Sequence, residues 1–307
     1  MNSQINKDYS NEEIEIKELF LIIWRNYFFI LLFTSLSALG SLFYSLSLPN
    51  IYTSSAILSP QQGNNSISNN LGNYASLAGL VGVSLPQGES SNTIEAMERI
   101  KSLNFFKNDF LPFIQLENLM AVEKWSSTYN SIDYIDTDFD MENGLWVRDV
   151  SHPKSKIPSF QESHKRYRQL LSVSQDKNSN FVTITIKHES PHIAKKWVEI
   201  IISNINNLMK KEEKIKSENA IKFLNEASDK NNLADISRVF NELLKSETQK
   251  LMLISSSNNF IFKTIEPPFA PEIKSSPRRS LICIFGTIIG FILSVFFTLF
   301  YTFFTKR

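Results

Sequence analysis

The sequence predicts an α+β domain with a long helical extension, carried between two membrane-spanning helices. Three observations lead there: two long charge-free apolar runs near the ends of the 307-residue chain, short alternating runs between them, and a helical periodicity sustained over about 191–254.

The apolar runs come first. Tyr27 to Leu48 gives 22 residues without a charge, and Leu281 to Phe304 gives 24 more. Crossing a hydrocarbon core of about 30 Å takes roughly 20 mostly apolar residues, so both qualify as transmembrane helices, 27–48 and 281–304. Trp24, Arg25 and Tyr27 flank the first, and Tyr301, Lys306 and Arg307 close the second, which are interfacial anchors in type and place. A cleaved signal peptide fits the first run poorly, because 26 largely polar residues precede it and an h-region usually has about 7–15 residues. The expectation is an uncleaved anchor.

Two crossings put the tails, 1–26 and 305–307, on one side of the lipid bilayer and 49–279 on the other. The positive-inside rule has little grip on which side is which. The first tail has Lys7, Lys17 and Arg25 against five acids, Lys274, Arg278 and Arg279 crowd the opposite face, and a 231-residue loop translocates largely regardless of charge.

Inside the loop, Pro49-Asn50 breaks the first helix and IYTSSAIL (51–58) alternates as a strand. Residues 60–92 hold five of the nine glycines and read as a flexible loop, apart from an apolar patch, LAGLVGVSL (77–85). That patch is expected to tuck against the domain or a neighbouring subunit, with a membrane-contacting or lumen-lining loop as the alternative. Ser91-Asn92-Thr93 reads as the cap of a helix starting IEAMERIKSL, and SFQESHKRYRQLL (159–171) as another helix. The mixed stretch between them supports no assignment. NFVTITIKH (180–188) alternates strongly as a strand, after which Ser190-Pro191 supplies a cap and a first-turn proline. Ile193, Trp197, Ile200, Ile205 and Leu208 then recur at helical spacing, weakening near Asp229, and Ile236, Val239, Leu243 and Leu251 start a second run. NNFIFKTIE (258–266) closes as a strand before Pro267-Pro268. Helices this long carry more apolar stripe than a small sheet covers, so they are expected to pack on each other and on neighbouring copies.

Composition and motifs narrow the chemistry. Thirty-two Lys+Arg against 31 Asp+Glu leave a net charge of +1, without the dominant basic face that nucleic-acid binding usually needs. A single cysteine, Cys283, excludes an intrachain disulfide and a cysteine-based zinc cluster. HESPH (188–192) spells the metalloprotease H-E-x-x-H, but that chemistry needs both histidines on one helical face. Here His188 ends a strand and Pro191 begins a helix, so the imidazoles are not presented together. Asp136-x-Asp138-x-Asp140 starts like a calcium loop, yet Met141 and Val147 stand where it needs glycine and a bidentate acid. No phosphate-binding G-x-x-x-x-G-K-[ST] and no nucleophile–base signature occurs. The expectation is no enzyme, no cofactor and no metal.

Four of the eleven prolines lie at 267–277, as Pro268-x-x-Pro271-x-x-x-x-Ser276-Pro277-Arg278, and Gly290 follows after eleven residues. This resembles the proline-rich signature of the Wzz-type polysaccharide co-polymerases, the chain-length determinants of bacterial surface polysaccharide. That family has lysine at Arg278 and, after ten further residues, leucine at Tyr301; cation and bulk are kept. Residues 18–60 resemble the family's first helix and strand, and 180–198 its strand-to-helix junction. Prolines stiffen a chain and remove donors, which suits 267–277 to being a strut between domain and membrane helix. Gly286-x-x-x-Gly290 admits close helix approach, with the chain's own first span or a neighbouring copy as partner.

The resemblance implies both termini in the cytoplasm, a periplasmic α/β base domain at 49–279, and the inner membrane as location. It implies a non-enzymatic regulator of O-antigen or related polysaccharide length. The implied partners are further copies of itself in a ring, an integral-membrane polymerase and the growing polysaccharide. Capsule or exopolysaccharide co-polymerases, which work with a separate tyrosine autokinase, are the alternative within the family. Outside it stand a two-span sensor or adhesion protein and a membrane-tethered hydrolase.

Overall fold

The computed structural model describes residues 16–61, 89–230, 234–257 and 259–305. The apolar patch 77–85 lies outside the described residues. The chain divides into two units, 1–49 with 276–307, and 50–275.

The first unit is helical. α1 (Ile16–Arg25) and α2 (Tyr27–Ser47) meet at Asn26, whose amide donates to the Ile22 carbonyl at 2.9 Å. α8 (Arg279–Thr305) packs along α2. Both α2 and α8 are long and apolar enough to cross a membrane, and little of either is buried within the protein. Their exposed faces carry the large apolar side chains, Phe28, Leu32, Phe43, Ile289, Phe296 and Phe300 among them.

The second unit is built on an antiparallel sheet in the order β6-β7-β1-β8, from β1 (Tyr52–Pro60), β6 (Leu171–Gln175), β7 (Val182–His188) and β8 (Phe262–Glu266). Alternation sets its buried face. Ser54, Ala56 and Leu58 of β1 lie beside Val182, Ile184 and Ile186 of β7, in a register running from Tyr52↔His188 to Leu58↔Val182. α6 (Pro191–Lys230) covers that face with Ala194, Trp197, Val198, Ile201 and Ile205. α3 (Glu89–Lys101) and α5 (Phe160–Leu170) complete the core with Ile100, Tyr167 and the neighbouring Phe106 and Phe110. The Tyr167 hydroxyl, inside that aromatic cluster, donates to the Ile100 carbonyl at 3.0 Å.

Between α3 and α5 lie three helical turns (Leu103–Phe105, Phe106–Phe110, Leu111–Phe113), α4 (Leu116–Met120) and two small hairpins. The hairpins are β2 (Val122–Ser126) with β3 (Ser131–Tyr134), and β4 (Phe139–Asp140) with β5 (Leu145–Trp146). α6 has 40 residues, about 60 Å at 1.5 Å per residue. Beyond Met209 it pairs with α7 (Ala234–Ser256) in an antiparallel hairpin. Lys250 meets Glu213 at 2.5 Å, and Leu224 and Leu243 form a separate apolar cluster further along.

Several boundaries differ from the sequence expectation. α3 begins at Glu89, so Ser91-Asn92-Thr93 lies within the helix rather than ahead of it, with Thr93 buried. Ser159 is a true cap, accepting from the Glu162 amide at 3.2 Å. The helix it caps stops at Leu170, where Leu171 turns extended and starts β6. The closing strand is Phe262–Glu266, shorter than the expected 258–266, because Phe260 and Ile261 form a bend ahead of it; residue 258 lies outside the described residues.

Candidate functional site

β8 pairs with β1 only from Ile57 to Pro60. Past Glu266 the chain continues alongside the earlier residues of β1 without a ladder, because Pro267, Pro268 and Pro271 have no amide to donate. Side chains of β1 take over. Ser54 Oγ donates to the Phe269 carbonyl at 2.7 Å, and the Thr53 and Ser275 hydroxyls lie 2.6 Å apart. The Ser275 amide donates to the Ile51 carbonyl at 2.8 Å, and Lys274 Nζ to Asn50 Oδ1 at 3.0 Å. Pro268 is buried and Pro271 half-buried. Ser276 and Pro277, joined by a cis peptide, are half-buried, and Arg278 is exposed. Pro268 and Pro271 thus lie in the sheet-bearing unit, whereas Ser276, Pro277, Arg278, Gly286 and Gly290 belong to the helical one.

Gly286 and Gly290 sit where α8 meets α2. Ser37 Oγ donates to the Gly286 carbonyl at 3.0 Å. A Cβ on Gly286 would stand 2.8 Å from Ser41 Oγ, and one on Gly290 would overlap the Ser37 side chain. The four-residue spacing continues along α8 with buried Ser294, Thr298 and Thr302. Each hydroxyl is satisfied within its own helix, Thr298 on the Ser294 carbonyl at 2.7 Å and Thr302 on Thr298 at 2.8 Å. On α2, Ser37 and Ser41 match that spacing from the other side. Small side chains therefore bring the two backbones close, the arrangement that drives helix association where lipid offers no hydrophobic gain.

The H-E-x-x-H string is a junction. Ser190 N–H donates to His188 Nδ1 at 2.9 Å, which leaves Nε2 as the protonated nitrogen, donating to the Asn118 carbonyl at 2.8 Å. Both ring nitrogens are engaged in a fully buried position against Trp197. Burial holds the imidazole below its usual pKa, opposed by neighbouring Glu189. His192 instead lies against Trp125, ring centroids 6.0 Å apart, so the two histidines do not converge. The acidic run is a turn: Asp140 accepts from the Glu142 and Asn143 amides and from the Asn143 side chain, which lowers its carboxyl pKa.

Two side chains outside the sequence reading organise the domain. Asn206, buried on α6, donates Nδ2 to the Phe262 carbonyl at 3.2 Å and to Ile202 at 3.0 Å, and its Oδ1 accepts from the Ile261 and Phe262 amides at 2.9 and 3.0 Å. β8 is an edge strand, and Asn206 makes with Phe262 the exchange a further strand would make. An asparagine in line with Ile202 and Met209 is the sequence signal that could have pointed to it. Arg148 grips Glu162 through Nη1 and Nη2 at 2.7 and 3.1 Å and also donates to the Ser155 and Lys156 carbonyls, closing the 148–162 segment. Among the described residues no cluster of three or more His, Cys, Asp or Glu is placed to hold a metal ion.

Residues 12–106 match the family model for Wzz, chain length determinant protein. That match agrees with the Wzz-type resemblance read from the proline-rich segment, which lies outside it. No curated protein sequence matches the chain. Among solved structures, the chain is similar to a full-length bacterial polysaccharide co-polymerase, at 11% identity and a TM-score of 0.46, covering 95% of this chain and 99% of that one. It is also similar to a fragment of WzzB, a polysaccharide co-polymerase from Salmonella Typhimurium, at 13% identity and a TM-score of 0.33, covering 74% and 100%. A mutant of the Shigella flexneri lipopolysaccharide O-antigen chain-length regulator WzzBSF gives 10% identity and a TM-score of 0.30, covering 73% and 100%.

Proposed function

We propose that this protein sets the length of a bacterial surface polysaccharide, the lipopolysaccharide O-antigen or a related polymer, as a non-enzymatic co-polymerase of the inner membrane. The carrying observation is the match of residues 12–106 to the Wzz chain length determinant model, a stretch containing the first candidate span and the central strand β1. The organisation fits that role: two helices suited to crossing a membrane, one on each side in sequence of a domain with a long helical hairpin.

On this reading both termini are cytoplasmic, the 49–279 domain is periplasmic, and 267–277 is the strut joining it to the second span. Several copies close into a ring that works beside an integral-membrane polymerase on the growing polysaccharide. Ile215, Phe223, Met252 and Leu253 stay exposed on the hairpin of one copy, which supports self-association there.

The test is the electrophoretic ladder of surface polysaccharide from a strain lacking the gene, with and without the gene restored. The proposal expects a preferred band cluster to give way to short, unregulated chains and to return on complementation. A ladder that does not change on deletion rejects it.

A further inference from the structure

Outside the two spans, the described residue that departs most from the apolar-inside rule close to a membrane helix is Ile273. It is 81% exposed, at a bend six residues before the start of α8. Its neighbours fix where it stands. Lys274 is bonded to Asn50 and Ser275 to Ile51, and Asn50 is only three residues beyond Ser47, the last residue of α2. Three extended residues reach about 10 Å at most, and the six from Ile273 to Arg279 about 20 Å. The bend is thus tethered to the ends of two membrane-suited helices at once, through α2 and through α8. The headgroup zone on each side of the hydrocarbon core is about 5–7 Å deep, and lengths of chain this short let the bend reach it.

The charges agree with a lipid partner. Lys274, Arg278 and Arg279 stand against a single acid, Glu272, so the segment offers net positive charge where phosphate headgroups lie. An apolar side chain next to cations is the pattern of an interfacial anchor.

We propose that the Ile273 bend is a membrane-surface contact, with Ile273 entering the headgroup layer and Lys274 and Arg278 meeting lipid phosphate. It fixes the end of the proline-rich segment on the bilayer as well as on β1. This inference rests on the reading of α2 and α8 as membrane spans.

The experiment uses the full chain with Cys283→Ala, reconstituted in vesicles of equal parts phosphatidylethanolamine and phosphatidylglycerol. An environment-sensitive fluorophore is placed singly at Ile273→Cys, at Ile289→Cys within the second candidate span, and at Tyr129→Cys on the exposed turn between β2 and β3. Nitroxide quenchers are carried either on the lipid headgroup or in mid-acyl chain. All three native side chains are exposed, so folding is not at stake. The expected result is loss of emission at 273 with the headgroup quencher, at 289 with the acyl quencher, and at 129 with neither. Quenching at 289 without quenching at 273 overturns the contact while leaving the spans intact, and a blue-shifted, unquenched 273 assigns the site to a neighbouring copy instead. Equal quenching at 129 and 273 overturns it as a local site. An unquenched 289 removes the span reading itself.

Discussion

Replacing Asn206 by alanine strips three backbone groups at the outer edge of β8 of their partner: the Ile261 amide, the Phe262 amide and the Phe262 carbonyl. Ile261, Phe262 and Asn206 are all buried, so water does not readily replace the lost side chain. Each unsatisfied buried group costs about 1–3 kcal/mol, and taking the low end for three gives about 3 kcal/mol. The loss is local, because the ladder between β8 and β1 is untouched. At about 1.4 kcal/mol per decade, amide protection across 259–266 should fall about a hundredfold, whereas that of β7 should hold. Hydrogen exchange with mass spectrometry on the full chain in detergent reads both segments in one experiment. Asn206→Asp, which keeps the acceptor and loses the amide donor, should fall between wild type and alanine if its charge is solvated, and below alanine if it is not. Unchanged protection at 259–266 in Asn206→Ala, or an equal loss across β7, would refute the edge-capping argument.

Gly290→Ala should destabilise the α2–α8 pair by about 1–3 kcal/mol, since the new methyl overlaps the Ser37 side chain. Adding Ser37→Gly should restore the melting temperature in detergent, and a single variant that melts like wild type would discard the close approach. His188 contributes stability in its neutral form: its folded pKa lies below the 6.5 of a free imidazole, chiefly through burial, with Glu189 opposing and Arg166 adding to the shift. That stability is complete above about pH 6.5 and is lost as pH falls toward the folded pKa. Melting temperatures from about pH 7.5 to 5 should therefore decline, and His188→Gln should flatten the decline; identical slopes in the two proteins would remove His188 as its source. Alanine at Pro268, Pro271 or Pro277 is expected to shift the modal polysaccharide length while the protein still inserts, and wild-type ladders in all three would sink the strut.

Much of the architecture was legible because its signals are local. Strands β1 and β7 alternate over enough residues to show a period of two, and α6 announces itself through Ser190-Pro191 and a stripe from Ile193 to Leu208. The stretch 104–160 was not legible, because β4 and β5 have two residues each and α4 has five, too few for any period to register. β6 was hidden for another reason: it follows α5 without a break, and LeuLeu continues a helical pattern as well as it begins a strand. In the candidate site, the two glycines could be read from their spacing and the prolines from their resemblance to a family signature. What they rest on could not, since Ser54 meets Phe269 and Ser37 meets Gly286 across more than 200 residues.

Those distant partners explain why a proline-rich segment can serve where a longer strand would not. Had β8 continued past Glu266, its outer edge would present free amides to any neighbouring chain, and Asn206 covers that edge at Ile261 and Phe262. Pro267, Pro268 and Pro271 remove three of those donors, so the segment offers a further strand no continuous ladder. The hydroxyls of Thr53 and Ser54 then hold it at two points, Phe269 and Ser275, in place of a continuous ladder. Four of the twelve residues from Pro267 to Arg278 have a fixed φ, so the backbone between those points has little freedom to absorb a displacement. Asn206 ties α6 to β8, the strand that leads into the proline-rich segment, and α6 carries one side of the long hairpin. On the proposed function, a shift in the hairpin reaches β8 through Asn206 as well as through the packing of α6 on the sheet, and the prolines beyond β8 leave the backbone up to Ser275 little freedom to absorb it.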